Sequence, residues 1–145
     1  RQAVRYGHSM SVVMIDSDNL KQINDNYGHD SGNRMLLLLV RCIREQLRGS
    51  DVVARFGGDE FILLLQETSS KGAAEMAERI RRAVEGSRLS VRGGDASLTV
   101  SLGVASYPED GGNLEVILEK ADKAMYRAKQ KGRNKVVVYL DNQDS

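Results

Sequence analysis

Two short runs of β-branched and apolar residues, 51–56 and 61–65, flank a Gly57-Gly58 pair, and this arrangement reads as a β-hairpin in the middle of the chain. Helical periodicity lies on both sides of it. Residues 31–47 repeat apolar side chains at Met35, Leu36, Leu39, Val40, Ile43 and Leu47, with Arg and Glu opposite. Residues 71–84 form a second amphipathic pattern that stops near Gly86. A buried strand is expected at residues 9–15 (SMSVVMI), and an alternating one at residues 97–107, ended by Pro108. A third helix, residues 114–131, closes at Gly132, and a last strand covers residues 135–140. Residues 16–31, rich in Asp, Asn and Gly, are expected to be a loop with a short helix. The order β-α-β-β-α-β-α-β predicts an α+β fold with a ferredoxin-like βαββαβ core plus an added helix and strand. Its sheet should be antiparallel, with helices on one face. Such a core serves many chemistries, so function has to be read from sites.

A chain of 145 residues is expected to be one domain. Its 21 basic residues against 20 acidic ones leave a net charge of +1, so a bulk electrostatic attraction to nucleic acid or an anionic membrane is not expected. Phosphate recognition must then be local. The single Cys42 lies in an apolar helical stretch and reads as a buried free thiol, in keeping with a reducing, cytoplasmic setting. The longest apolar run, residues 35–40, is far below the roughly 20 residues a membrane span needs. Residues 1–6 read as the tail of a helix whose start is missing, and no initiator Met is present, which suggests a piece of a longer regulatory protein.

Acidic residues fall at places a folding requirement alone does not explain. Asp16 and Asp18 stand where the first strand runs out, and Asp59 and Glu60 stand at the hairpin turn. In a βαββαβ sheet the first strand lies beside a hairpin strand, so these carboxylates are able to converge. Like charges held close repel unless a cation intervenes, and hard oxygen ligands suit Mg²⁺. Two such ions can activate a hydroxyl and stabilise a leaving oxygen. The alternative is a set of solvated loop acids around a tight turn. An EF-hand reading of Asp16-x-Asp18 fails, because its sixth position is Lys21 instead of Gly and its twelfth is Tyr27 instead of Glu.

Lys21 follows the acidic loop, while Lys129 and Arg133 lie four apart at the end of the last helix. They suit the phosphates of a triphosphate, or equally the helix dipole. Asn24 and Asn33 are able to read a base edge, or simply to form turns and caps.

Taken together these pieces resemble the GGDEF-domain diguanylate cyclase family. Residues 54–61 (ARFGGDEF) carry its naming motif. Asp16-Ser17-Asp18-Asn19-Leu20-Lys21, then Asn24-Asp25 and Gly28-His29-x-x-Gly32, is similar to the family's DxDxFKxxNDxxGHxxGD stretch. Residues 121–129 (ADKAMYRAK), then Gly132-Arg133-Asn134, are similar to its C-terminal motif. The match runs over nearly the whole chain and implies a fold like a nucleotidyl cyclase or polymerase palm.

The resemblance also implies roles. Asp16, the carbonyl of Ser17, Asp59 and Glu60 would bind two Mg²⁺ ions, with Mn²⁺ a possible substitute, and Asp59 or Glu60 would accept the proton of a 3′-hydroxyl. Lys21 would stabilise the phosphate in flight. Leu20, Asn24, His29 and Asn33 would contribute to the GTP site, and Lys129 and Arg133 would hold the outgoing pyrophosphate. Arg48 and Asp51 match the RxxD site through which cyclic di-GMP inhibits, with Arg79 as its second half. A homodimer would join two GTP into cyclic di-GMP.

Two departures stand out. Leu20 replaces the usual Phe, a tolerable apolar swap. Asn33 replaces an Asp that accepts hydrogen bonds from guanine N1–H and its exocyclic amine, and an amide offers one acceptor and one donor. A mispaired polar edge costs about 1–3 kcal/mol, so the expectation is GTP as main substrate with relaxed discrimination against ATP. That would admit cyclic GMP-AMP or cyclic di-AMP as products. Two rivals are a non-catalytic cyclic di-GMP receptor and an RNA-binding module. The intact acidic turn speaks against the first, and 5% aromatic content without a basic excess against the second.

Overall fold

The computed structural model describes residues 9–140, and the helix tail expected at residues 1–6 lies outside them. In chain order the elements are β1 (Met10–Ser17), α1 (Leu20–Tyr27), α2 (His29–Arg44), β2 (Val52–Arg55), β3 (Glu60–Gln66), α3 (Ser70–Glu85), β4 (Leu89–Val91), β5 (Gly94–Ala96), β6 (Val100–Tyr107), α4 (Leu114–Gln130) and β7 (Lys135–Val138). Five strands form one sheet in the order β2-β3-β1-β6-β7. All neighbours are antiparallel except β6 and β7, which run parallel.

Strand β1 is central and covered on both faces. Its odd residues Val13 and Ile15 pack with Met35 and Leu39 of α2 and Ile80 of α3, while Val12 packs with Ala105 of β6 and Ile117, Ala121 and Ala124 of α4. That explains why β1 reads as a continuous apolar run instead of an alternating one. Each of the fully buried Val, Ile, Leu and Met side chains among these contributes about 1.5–3 kcal/mol. The expected placement of helices on one face holds for the core pair α2 and α3. The added helix α4 instead covers the opposite face, because Val12 and Ala105 there also have to leave water.

Two helices begin on side-chain caps. Ser69 Oγ accepts the Gly72 N–H at 3.1 Å ahead of α3, and Asn113 Oδ1 accepts the Val116 N–H at 3.0 Å ahead of α4. Each cap is worth about 1 kcal/mol. Cys42 is buried in the α2 face of the core, and loss of water pushes its thiol pKa up.

Other expectations are adjusted by a few residues. The first strand continues through Asp16 and Ser17, since both keep their pairing with β6 past the apolar run. The stretch expected as a loop with a short helix holds α1 and the first turn of α2. A small hairpin, β4 with β5, stands apart from the main sheet and was not expected from the sequence. Its signal is Gly93-Gly94, both at positive φ, but three-residue strands carry too little alternation to be read. No helix among the described residues is long and apolar enough to cross a membrane.

Candidate active site

The register of the sheet brings the acidic groups together. Asp16, near the end of β1, stands opposite Glu60 on β3 and Ser101 on β6. One residue on, the Ser17 N–H donates to the Asp59 carbonyl at 3.4 Å, and the Ser17 hydroxyl donates to the Asp59 carboxylate. The hairpin tip therefore folds over the end of β1. Its turn is closed by the Phe56 N–H on the Glu60 carbonyl at 2.7 Å and by Arg55 Nε on the Gly58 carbonyl at 3.0 Å.

A cation stands in this acidic corner. Lys129 Nζ lies 3.1 Å from Asp16 Oδ2, donates to the Ser17 carbonyl at 2.7 Å and sits 3.4 Å from Asp18 Oδ1. Burial pushes the Asp16 pKa up; the Lys129 charge and hydrogen bond pull it back, and the negative charges of Asp59 and Glu60 push it up again. The donor set around this corner is two carboxylates beside Asp16 and a backbone carbonyl, all hard oxygens, which fits Mg²⁺. Among the described residues no three Asp, Glu, His or Cys side chains close into a ready-made metal cage. Magnesium does not require one, because it takes one or two carboxylates and fills its other positions with water and substrate phosphate.

Asp18 does not join the corner as an open ligand, although it was grouped with Asp16 on sequence. Its carboxylate is turned inward and accepts from the Thr99 and Ser101 hydroxyls at 2.7 and 2.6 Å. The Thr99 hydroxyl just ahead of β6 and the Ser101 hydroxyl within it hold the carboxylate there.

Beside the acidic corner is an open cleft of about 350 Å³ lined by Leu20, Lys21, Asn24, Asn33, Arg55 and Asp59, with Gly32, Leu36 and Gly58. It brings together both Asn side chains expected at a base edge. Gly32 is required there by close approach: a Cβ at that position would overlap the Asn24 side-chain oxygen. Sequence reading missed Gly32, Leu36, Arg55 and Gly58 as lining residues; Gly32, Arg55 and Gly58 lay within the motifs, and Leu36 was legible only from the fold. Lys21 is exposed and rests 3.4 Å from Asp25 one helical turn on, a contact too solvated to hold it. His29 lines a separate depression with Tyr27, Asp30, Ser31, Arg34 and Arg92, outside this cleft.

Arg133 follows α4 and donates to the Asp18 carbonyl at 3.1 Å, which sets it on the same side as Lys129. Arg48 and Asp51 meet away from the cleft: the Arg48 backbone N–H and Nε reach Asp51 Oδ2 at 2.9 and 3.5 Å. The other Asp51 oxygen is buried without a hydrogen-bond partner among the described residues. Arg79 Nε donates to Gln46 Oε1 at 2.9 Å, two residues before Arg48.

Comparisons with known proteins bear on the family and the fold. A family model described as "Diguanylate cyclase, GGDEF domain" matches residues 1–135. "Diguanylate cyclase A" of Treponema denticola is 42% identical over 134 residues, 92% of this chain and 36% of that protein. "Diguanylate cyclase DosC" of Escherichia coli K12 is 40% identical over 138 residues, 94% of this chain and 30% of that protein. The chain thus spans about a third of the length of the curated relatives it matches. Among solved structures, the GGDEF domain of TpbB (YfiN) from Pseudomonas aeruginosa superposes with a TM-score of 0.91 at 37% identity, covering 98% of this chain and 83% of that one. The GGDEF domain of DgcB from Caulobacter crescentus, solved in complex with c-di-GMP, gives a TM-score of 0.87 at 30% identity, covering 94% and 81%. On the breadth of the model match, the level of identity and the shared fold, this chain belongs to the GGDEF domain family.

Proposed function

We propose that this domain is a diguanylate cyclase that condenses two GTP into cyclic di-GMP and releases two pyrophosphates. The observation that carries the reading is the corner itself: Asp16 opposite Glu60, Asp59 folded over the end of β1, and Lys129 held against Asp16 and the Ser17 carbonyl, beside a base-sized cleft. The names of the relatives support it, as does the c-di-GMP complex of a structural neighbour.

In the proposed reaction each 3′-hydroxyl oxygen forms a bond to the α-phosphorus of the other nucleotide, and the bond from that phosphorus to pyrophosphate breaks. Asp16, the Ser17 carbonyl, Asp59 and Glu60 would hold two Mg²⁺ ions. When bound, they would supply Lewis-acid polarisation of the phosphoryl oxygens and a more acidic 3′-hydroxyl. Asp59 or Glu60 takes the hydroxyl proton. Lys21, exposed and loosely tied, swings onto the phosphoryl group and offsets its charge. Lys129 and Arg133 hold the departing pyrophosphate. Asn24 and Asn33 read the base, and because Asn33 offers a donor where guanine N1–H needs an acceptor, ATP is admitted at a lower rate.

One domain holds one nucleotide, so the two-fold symmetry of the product calls for two domains facing each other. Arg48 and Asp51, with Arg79 nearby, form a product-binding site; Asp51 holds Arg48 from beneath, and the exposed Arg48 guanidinium offers donors to the dinucleotide. The test is incubation of the purified protein with GTP, ATP or both in the presence of Mg²⁺, with products identified by mass spectrometry. Cyclic di-GMP is expected, and a protein that binds the dinucleotide but forms none overturns the reading in favour of a receptor.

A further inference from the structure

We infer that Asp18 is a positioning residue that locks the phosphate-binding turn after α4, so that Arg133 and Lys129 face the triphosphate. The inference rests on the cyclase reading above. Asp18 has a side chain only 4% exposed, and its oxygens are surrounded by donors from distant parts of the chain. Oδ2 accepts the Thr99 hydroxyl at 2.7 Å and the Asn134 backbone N–H at 2.9 Å. Oδ1 accepts the Ser101 hydroxyl at 2.6 Å and lies 3.4 Å from the Lys129 ammonium. Its backbone takes part as well: the N–H donates to the Thr99 carbonyl at 3.0 Å, and the carbonyl accepts from Arg133 at 3.1 Å. One residue thus ties the end of β1 to the approach to β6 and to the turn between α4 and β7.

That turn needs a lock. Gly132, Arg133 and Asn134 run at φ values of 116, 67 and 49; Asn accepts that region readily, whereas Arg133 is held in it by its surroundings, its own N–H donating to the Ala128 carbonyl at 2.9 Å. The Asn134 side chain is held separately, donating to Glu85 at 2.7 Å and accepting from Arg81 at 3.1 Å. Its backbone N–H, which sets the direction of the turn, depends on Asp18. A buried carboxylate is costly to desolvate and contributes little net stability compared with an apolar replacement. Its presence here is explained by what it orients: a backbone N–H and an ammonium that no apolar side chain can hold.

Asp18→Ala removes the acceptor for the turn and for Lys129 together. Asp18→Asn keeps an oxygen for the Asn134 N–H and turns its amide toward Ser101, whose hydroxyl is able to accept, so it should rescue the turn and lose only the Lys129 contact. Binding to each variant is measured by calorimetry with Mg²⁺ and two probes, α,β-methylene-GTP and GMP, and hydrogen exchange is followed at residues 132–134.

For Asp18→Ala the expected result is a loss of about ten-fold in affinity for the triphosphate analogue, little change for GMP, and faster exchange in the turn. Asp18→Asn should fall between it and wild type. Combined with Arg133→Ala, Asp18→Ala should add less than its own separate effect, because the part of that effect that acts through Arg133 is already lost and only the Lys129 part remains. Should Asp18→Ala be too unstable to purify, Thr99→Val with Ser101→Ala, which frees the carboxylate from its anchors, should give the same selective loss. Equal losses for GMP and the triphosphate, or full additivity with Arg133→Ala, overturn the inference while leaving the cyclase reading intact. A wild-type protein that neither binds the analogue nor forms a cyclic dinucleotide removes the cyclase reading, and this inference with it.

Discussion

The Lys129 ammonium stands 3.1 Å from the Asp16 carboxylate, a contact that joins helix α4 to the end of strand β1. Since the same nitrogen also donates to the Ser17 carbonyl, it occupies the position in which a divalent cation would find its first two oxygen ligands. In Lys129→Met that competitor is gone. Binding of Mn²⁺ without nucleotide, followed by electron paramagnetic resonance, should tighten by roughly ten-fold, a change of the size of one charged hydrogen bond. Turnover of GTP should fall, because the pyrophosphate loses a partner.

The Asp16 carboxyl has its pKa raised by burial and by Asp59 and Glu60. It has to be ionised to hold a cation, so the acid limb of kcat/KM should fall at a higher pH than for a free aspartate, and Lys129→Met should move it higher still. The sign for stability is the reverse of the usual carboxylate. With the folded-state pKa above the unfolded one, the folded form takes up more protons just above the unfolded pKa, and stability declines as pH rises through that window. Asp16→Asn should therefore raise Tm at neutral pH in metal-free buffer. A lower Tm for this variant would mean that the ion pair with Lys129 outweighs burial.

Asn33 lines the same cleft as Asn24. Given GTP and ATP together, the wild-type domain should make some mixed cyclic GMP-AMP. Asn33→Asp, which restores a double acceptor for guanine, should raise the preference for GTP by about ten-fold in kcat/KM. Identical product ratios for both proteins would remove Asn33 from base selection.

A methyl group at Gly32 would overlap the Asn24 amide oxygen. Gly32→Ala should push Asn24 out of its place in the cleft and raise KM for GTP by roughly ten-fold, with Tm falling little because Asn24 is only partly buried. Paired measurement of KM and Tm separates this from a general loss of packing.

The Arg48 guanidinium reaches the Thr68 hydroxyl as well as Asp51. Arg48→Ala should raise the inhibition constant for cyclic di-GMP more than ten-fold in initial-rate assays, since charged hydrogen bonds of this kind contribute about 1.5–3 kcal/mol. Unaltered inhibition would place product binding elsewhere.

Much of this molecule was legible without coordinates. Periods of two and of 3.6 are local properties, so β1, the central hairpin and the long helices α2, α3 and α4 could be read within a few residues of their observed bounds. The motif residues Asp16, Asp59, Glu60, Lys129 and Arg133 could be named because their types and order along the chain already express oxygen-ligand and phosphate chemistry. The β4–β5 hairpin was not legible, because strands of three residues leave almost no periodic trace.

What tertiary structure alone decided is which of these groups meet. Asp16 and Asp18 are two acids separated by one serine, and only the family resemblance, which gives a metal-binding role to Asp16 alone, tells them apart on sequence. Only the pairing of β1 with β3 and β6 shows one facing the hairpin tip and the other drawn inward by Thr99 and Ser101. The covering of the second sheet face by α4, and with it the arrival of Lys129 beside Asp16, depends on residues more than a hundred positions apart. Residue types and local periodicity are written in neighbouring positions of the chain, whereas the partner of each charge is set by sheet register and helix packing, which no short stretch of sequence contains.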